Sequence, residues 1–152
     1  MGQGGGTKDT RARILSGGME ALGQHGIQAT TVEDILRAAG VSRRTFYQYF
    51  NSKEGLLQAL YEDATERMVE TVDAAVGGAE DGPTKIKASM EAYLDFQRAG
   101  GPVLIQMQAD AVRQDSRLAT RREETLDSLV DIVGRGVQGV LGQDLDPLIY
   151  RA

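Results

Sequence analysis

The chain has 152 residues, of which 41% are hydrophobic and 26% charged, and these values are ordinary for a soluble globular protein. It contains no cysteine, which excludes disulfides and thiolate metal ligands, and no apolar run approaches the roughly 20 residues of a membrane helix, so we expect a cytoplasmic protein without a membrane partner. The net charge of −5 is uneven, because residues 1–53 carry +3 and the remainder carries −8.

The first predicted element is a helix from about Thr10 to Gln24, preceded by a flexible arm over residues 1–6. Two adjacent glycines, Gly17 and Gly18, lie in its middle. Each costs a helix roughly 1 kcal/mol relative to alanine, so we expect another helix to cross closely there. The basic residues that can add phosphate contacts from this region are Lys8, Arg11 and Arg13.

A short helix is predicted to begin after Thr31. The Thr31 side chain can cap the first turn while Asp34 returns a hydrogen bond, which is the spacing of a capping box. Gly40 stands where a left-handed residue would end the helix, and Val41 can fill the space between this helix and the next.

A second short helix begins after Ser42, a new N-cap. Phe46 and Phe50 fall four residues apart and are expected to pack inward. The side chains left for the other faces are Arg43, Arg44, Thr45, Tyr47, Gln48 and Tyr49.

These side chains suit the major groove of DNA. Arginine can pair with guanine, glutamine with adenine, and threonine can offer a hydroxyl or a methyl contact. Tyr47, Tyr49 and Lys53 can reach phosphates. The alternative is an ordinary solvated helix face. However, helix-turn-helix spacing is shared here by the N-cap, the turn glycine Gly40, the apolar Val41 between the helices and the exposed hydrogen-bond donors. This combination favours DNA binding. The local positive charge agrees with this interpretation.

The same region resembles the N-terminal domain of the tetracycline-repressor (TetR) family of bacterial transcription regulators. The motifs that carry the resemblance are Thr30–Val32, Ile35, Ala38–Ser42, Thr45–Phe50 and Ser52–Glu54, within residues 7–60. It implies a helical homodimer that binds a palindromic double-stranded DNA operator, most often as a repressor, and releases it when a small-molecule effector binds the C-terminal half.

By position, the resemblance implies base contacts at Arg43, Arg44, Thr45 and Gln48. It implies phosphate contacts at Thr31, Tyr47, Tyr49 and Lys53, and we group the N-cap Ser42 with them. Two residues depart from the family pattern: Arg44 stands where a glycine or small residue is usual, and Tyr49 where histidine is common.

The remaining chain also reads as helices, so the predicted fold is all-α. A long helix runs from Ser52 to Gly77–Gly78 and joins the DNA-binding domain (7–60, with its helix-turn-helix at 31–50) to a regulatory domain (61–152). Further helices are separated by breaks at Gly77–Pro83 and Gly100–Pro102, and a last one starts near Ser116. Members of the family usually have two further long helices that build the dimer interface, and this sequence ends at residues 145–150, about where those would begin. We therefore expect the regulatory domain to be incomplete relative to the family.

A ligand pocket between the C-terminal helices is a further expectation. The adaptable or aromatic residues that can line it are Met68, Met90, Tyr93, Phe96 and Met107, with ordinary core packing as the alternative for each. The apolar row from Leu126 to Leu141 is expected to be partly exposed in a monomer and covered by a partner subunit.

Catalytic, metal and cofactor sites are not predicted. The single histidine, His25, has no second histidine and no cysteine to join it, and the carboxylates Glu123, Glu124 and Asp127 read as solvated helix charges. An enzyme is therefore not expected. The alternative to an operator-binding regulator is a helical interaction or small-molecule-binding module that has lost operator binding through loss of the dimerisation helices.

Overall fold

The structure, a computed structural model, describes residues 4–113 and 115–141, and the side chains within 8–113 and 115–136. All six elements are helices: α1 Gly4–Ala29, α2 Val32–Ala39, α3 Arg43–Tyr49, α4 Lys53–Gly77, α5 Gly82–Ala111 and α6 Ala119–Leu141. Over these described ranges there is no strand, which confirms the all-α prediction.

The crossing of α1 and α2 depends on Gly17. A Cβ at Gly17 would lie 2.4 Å from the backbone nitrogen of Ala39, and one at Gly18 would lie 2.7 Å from Leu56 Cδ2. The close crossing predicted from the two glycines is therefore confirmed. Ile14 of α1 and Ile35 of α2 belong to the same core cluster, and both side chains are completely buried.

Helix α1 is longer than the sequence indicated. It begins at Gly4, so the flexible arm predicted for residues 4–6 is wrong, while residues 1–3 lie outside the described part. At the other end the backbone leaves helical geometry at Gly26 (φ 77°, ψ 163°) before one more turn to Ala29. Glycine adopts this positive φ without the clash that a Cβ would cause.

Helix α4 joins the two halves of the chain through its 25 residues. The side chains near its start, Leu56 and Leu60, are buried with the N-terminal helices, and Val72 and Val76 are buried with Ile132 of α6. The N-terminal core also contains Val103, Met107 and Ala111 from α5. The domain boundary predicted at residue 60 thus falls inside α4 and inside one continuous core.

Helix α5 has two arms that meet at Gly101 (φ 58°, ψ −161°), followed by Pro102. The break predicted at Gly100–Pro102 is therefore confirmed. Across it, Gln97 Nε2 donates to Gln108 Oε1 at 3.0 Å and Gln108 Nε2 donates to Gln97 Oε1 at 2.9 Å. This reciprocal amide pair fixes the angle between the two arms.

Helix α6 packs against α4 and α5 through one of its faces. Ile132 is buried, and a Cβ at Gly136 would lie 2.8 Å from Val76 Cγ1, so the small residue allows close approach. Leu126, on another face, is 44% exposed. The side chains at the end of the predicted apolar row, Val137 and Leu141, lie outside the described side chains.

Candidate nucleic-acid interface

The first turn of α2 is held by a reciprocal cap. Thr31 Oγ1 accepts from the Asp34 amide at 3.3 Å, while Asp34 Oδ2 accepts from the Thr31 amide at 3.0 Å and from the Thr31 hydroxyl at 2.6 Å. The predicted capping box is confirmed. The hydrogen bonds from Thr31, with a smaller contribution from Arg37, lower the pKa of the Asp34 carboxyl below its ordinary value.

The turn between α2 and α3 is closed by a left-handed residue and a cation. Gly40 has φ 62° and ψ 39°, as predicted, and the amide of Val41 donates to Leu36 O at 3.2 Å. Arg13 of α1 donates to the carbonyls of Ala39 at 3.2 Å and Gly40 at 3.0 Å. Arg13, which the sequence suggests as a possible phosphate contact, therefore satisfies the free carbonyls of the helix end.

Helix α3 is short, and its position is fixed at both ends. Ser42 Oγ accepts from the Thr45 amide at 3.1 Å and shares a hydrogen bond of 2.8 Å with the Thr45 hydroxyl. Phe46 is completely buried and Phe50 is 6% exposed, with ring centroids 5.9 Å apart. The inward packing of both phenylalanines is confirmed, and it turns the opposite face of α3 outward.

The residues predicted to contact bases differ in their surroundings. Arg44 and Gln48 are exposed, whereas Arg43 forms an ion pair with Glu33 of α2. The half-buried Thr45 uses its hydroxyl toward Ser42. Arg44 and Gln48 are therefore the side chains most free to contact base edges, while Arg43 can contact DNA only when its ion pair with Glu33 breaks.

The residues predicted to contact phosphates lie around this face. Thr31, Ser42 and Tyr47 are exposed, and Tyr47 is 46% exposed. Tyr49 is half-buried and packs against the core, which leaves less of it for DNA. Their roles on DNA remain predictions.

Lys53 has a structural role that the sequence did not indicate. Its Nζ donates to Ile27 O at 3.0 Å and to Thr30 O at 2.9 Å, across 26 and 23 residues of sequence. These carbonyls follow the break in α1 at Gly26, so Lys53 fastens the start of α4 to the end of α1. Two of its three ammonium hydrogens are thereby used, and one remains for a phosphate.

A cleft of about 690 Å³ lies between α1, α4 and α5. Of the five residues predicted to line a ligand pocket, Phe96 and Met107 line this cleft. Met68 is buried elsewhere along α4, Tyr93 packs against the Val72 cluster, and Met90 is 57% exposed. These three do not line it. Helical spacing shows which residues share one face of a helix, but it does not show what that face packs against.

Neither a metal site nor a membrane span is visible in the part of the chain that the structure describes. Residues 4–113 and 115–141 contain no group of three or more His, Asp or Glu side chains arranged to hold a metal ion. In the same ranges, no helix combines the length and apolarity needed to cross a membrane.

Comparison with protein families matches residues 14–60 to the model of bacterial regulatory proteins of the tetR family. The transcriptional activator FasR of Mycolicibacterium smegmatis is 30% identical over 88 residues, which cover 58% of this chain and 40% of FasR. The transcriptional regulator BetI of Escherichia coli is 29% identical over 122 residues, which cover 68% of this chain and 63% of BetI. The chain thus spans less than two thirds of either relative's length.

The likeness extends to solved structures. The fatty acid degradation regulator FadR of Bacillus halodurans superposes with a TM-score of 0.71 at 25% identity, over 91% of this chain and 77% of FadR. An N-terminal helix-turn-helix followed by a helical C-terminal half is therefore shared with such regulators. The three relatives FasR, BetI and FadR are named as regulators.

Proposed function

We propose that this chain, which belongs to the TetR family of bacterial transcription regulators, acts in the cytoplasm as a ligand-responsive repressor. In this proposal it binds a palindromic operator as a homodimer through α3, and a small molecule that enters its C-terminal half releases the DNA. The single observation that supports this most strongly is the outward face of α3, where Arg44 and Gln48 are exposed on a helix whose other face is buried.

The rigidity of α3 supports the proposal. Base readout requires side chains on an element whose position is fixed before binding. The Ser42 cap, the buried Phe46 and the Arg13 contacts to the preceding turn hold α3 without using Arg44 or Gln48. Each well-placed bidentate pair then gives about 1–3 kcal/mol of discrimination against the wrong base.

The small size of the reading helix supports the proposed homodimer. Seven residues of α3 cover one half-site, and helix-turn-helix proteins gain affinity by placing two such helices ~34–36 Å apart on successive major grooves. The exposed Leu126 on α6 provides apolar surface for a second copy. A cleft between α1, α4 and α5 provides a place where a ligand can alter that spacing.

Selection of bound genomic fragments by the purified chain, followed by footprinting at two salt concentrations, tests the proposal. We expect a palindromic site protected on two successive major grooves, with affinity that falls as salt rises. Salt-sensitive binding without any sequence preference would contradict it. A reporter gene behind the selected site then separates repression from activation, which matters because FasR is named an activator.

The second candidate is a helical module that binds another protein without reading DNA. The observation that favours it is an exposed apolar stripe on the first arm of α5, formed by Ile86, Met90 and Leu94. Exposed apolar patches of this kind mark interaction surfaces. The same selection distinguishes the two functions, because a protein-binding module gives no operator-sized footprint.

A further inference from the structure

The cleft between α1, α4 and α5 has an apolar floor. Its volume of about 690 Å³ falls within the range of pockets that enclose small organic molecules, which is roughly 300–1,000 Å³. The apolar side chains that line it are Leu15, Met19, Leu60, Phe96, Leu104 and Met107. Because α1 belongs to the DNA-binding half and α5 to the other half, the cleft spans both.

Basic side chains lie at the same cleft. Arg67 is paired with Asp63, which also lines the cleft, so their charges cancel. Lys8 and Arg11 are exposed, and neither forms an ion pair within residues 8–113 and 115–136. The cleft thus combines an apolar floor with two uncompensated positive charges supplied by α1.

We propose that this cleft binds an anionic amphiphile, a molecule with a single apolar tail and a carboxylate or phosphate head. The tail lies on the floor between Leu60 and Phe96, and the head pairs with Lys8 and Arg11. The assignment rests on the proposed function, for which it names the effector class. An uncharged or cationic molecule with the same tail gains nothing from Lys8 and Arg11, because only an anion complements them.

Arg11 also connects the cleft to the reading helix. Its guanidinium carbon lies 5.7 Å from the centroid of the Phe50 ring, within the range of a cation–π contact. The Phe50 amide donates to Phe46 O at 3.0 Å and so ends α3. An anion bound in the cleft draws Arg11 toward it and so weakens the contact between Arg11 and Phe50. Ligand binding in the cleft thereby affects the end of α3 through the Arg11 side chain.

Calorimetry with the full chain and three twelve-carbon amphiphiles below their micelle concentrations tests the ligand class. Dodecanoate supplies a free carboxylate, dodecanoyl-CoA supplies a phosphate-bearing head, and dodecyltrimethylammonium supplies a cation on the same tail. We expect one or both anions to bind, and the anion that binds more tightly identifies the preferred head group. The cation should bind at least about tenfold more weakly. Affinity for anions should fall about fourfold for each methylene removed. Equal affinity for the cation would overturn the assignment.

Matched variants locate the site. Arg11→Gln and Lys8→Gln should each weaken anion binding by about ten- to a hundredfold, as loss of a hydrogen bond to a charged group predicts. Ala64→Phe, which places a ring in the cleft, should abolish binding. Arg135→Gln is the control, because Arg135 pairs with Asp73 on a different part of α4 and does not line the cleft. Circular dichroism melting confirms that each variant is folded, and unchanged binding in Arg11→Gln would overturn the assignment.

The connection to α3 is tested on the selected operator. We expect the anion to weaken operator binding by the native chain, and Phe50→Leu to keep the anion affinity while reducing this effect. An equal effect of the anion in Phe50→Leu would refute the role of the Arg11–Phe50 contact. Operator binding without anion binding overturns the cleft assignment alone, whereas anion binding without an operator overturns the regulator proposal alone.

Discussion

Gln48 and Lys53 lie five residues apart but have opposite surroundings. Gln48 is exposed on the outward face of α3, whereas Lys53 is half-buried and donates to the carbonyls of Ile27 and Thr30. An exposed amide side chain can contribute to the affinity for a binding partner, whereas a cation that satisfies helix-end carbonyls contributes to the stability of the fold. Substitutions at these two positions should therefore affect different quantities.

Gln48→Ala should lower specific DNA binding without lowering stability. Because Gln48 has no buried partner to lose, we expect the free energy of binding to the selected site to weaken by about 1–3 kcal/mol. Binding to scrambled DNA should hardly change, and the free energy of unfolding should stay within about 0.5 kcal/mol. Fluorescence anisotropy with both DNAs and urea denaturation measure these quantities. Gln24→Ala, at an exposed glutamine of α1, is the control, and an equal loss on both DNAs would contradict base readout.

Lys53→Met should lower stability, because it keeps the apolar stem and removes the donor to two carbonyls. We expect the free energy of unfolding in urea to fall by about 1–3 kcal/mol. Lys87→Met, which removes an exposed ion pair with Glu91, should change it by less than about 1 kcal/mol. Unchanged stability together with weaker binding to every DNA sequence would instead favour a phosphate contact as the main role of Lys53.

The capping box gives α2 a defined dependence on pH. The hydrogen bonds from Thr31 lower the pKa of Asp34 in the folded chain, so the ionised carboxylate stabilises the fold above the unfolded pKa. This stabilisation is lost as pH falls through the lower folded pKa. Asp34→Asn should therefore be less stable than the native chain at neutral pH, and the difference should disappear in acid. Urea denaturation across this pH range measures it, with Asp95→Asn on α5 as control; a difference that persists in acid would argue against the carboxylate as its source.

At the scale of the helices, two glycines predict opposite effects of the same substitution. A Cβ at Gly17 meets the backbone of Ala39 at 2.4 Å, whereas one at Gly134, apart from the backbone of its own helix, meets no atom of the described residues within 4 Å. Backbone cannot yield as a flexible side chain does, so Gly17→Ala should lower the free energy of unfolding by about 1–3 kcal/mol. Gly134→Ala should raise it by up to about 1 kcal/mol, since alanine favours helix. Urea denaturation of both variants measures these free energies of unfolding. If Gly17→Ala instead stabilises the fold, α1 and α2 can move apart without loss of stability.

The helix boundaries were predictable where the signals are local. Thr31, Gly40 and Ser42 act through hydrogen bonds or dihedral angles within a few residues, and the structure places them as predicted. The direction of a helix face depends on packing partners that are distant in sequence. Helical spacing therefore groups Met90 with possible pocket or core residues although it is 57% exposed, and no local signal predicts the bonds from Lys53 across 23 and 26 residues.

At the scale of the whole molecule, the two halves share contacts that a ligand can use. Gln106 of α5 accepts from the Ile27 amide at 3.2 Å, so the second arm of α5 touches the end of α1 where Lys53 also binds. The Gln97–Gln108 pair sets the angle of that arm. A shift of α5 therefore acts on α1 directly through a hydrogen bond as well as through α4. Such coupling needs a difference in ligand affinity between the two arrangements.

The proposed homodimer makes a prediction that distinguishes two exposed apolar surfaces. Leu126 of α6 is 44% exposed and Met90 of α5 is 57% exposed. If α6 forms the subunit interface, Leu126→Lys buries a charge there and should shift the dimer to monomer, whereas Met90→Lys should not. Size-exclusion chromatography with light scattering at tens of micromolar measures this.

Loss of the dimer should also change the footprint. A monomer engages one half-site, so Leu126→Lys should reduce the protected region from two successive major grooves to one and weaken operator binding more than binding to scrambled DNA. If Met90→Lys dissociates the dimer and Leu126→Lys does not, the subunits meet through α5 instead. A native chain that is monomeric but still protects both grooves would mean that dimerisation occurs only on DNA, because protection of both grooves needs two reading helices whatever the state in solution.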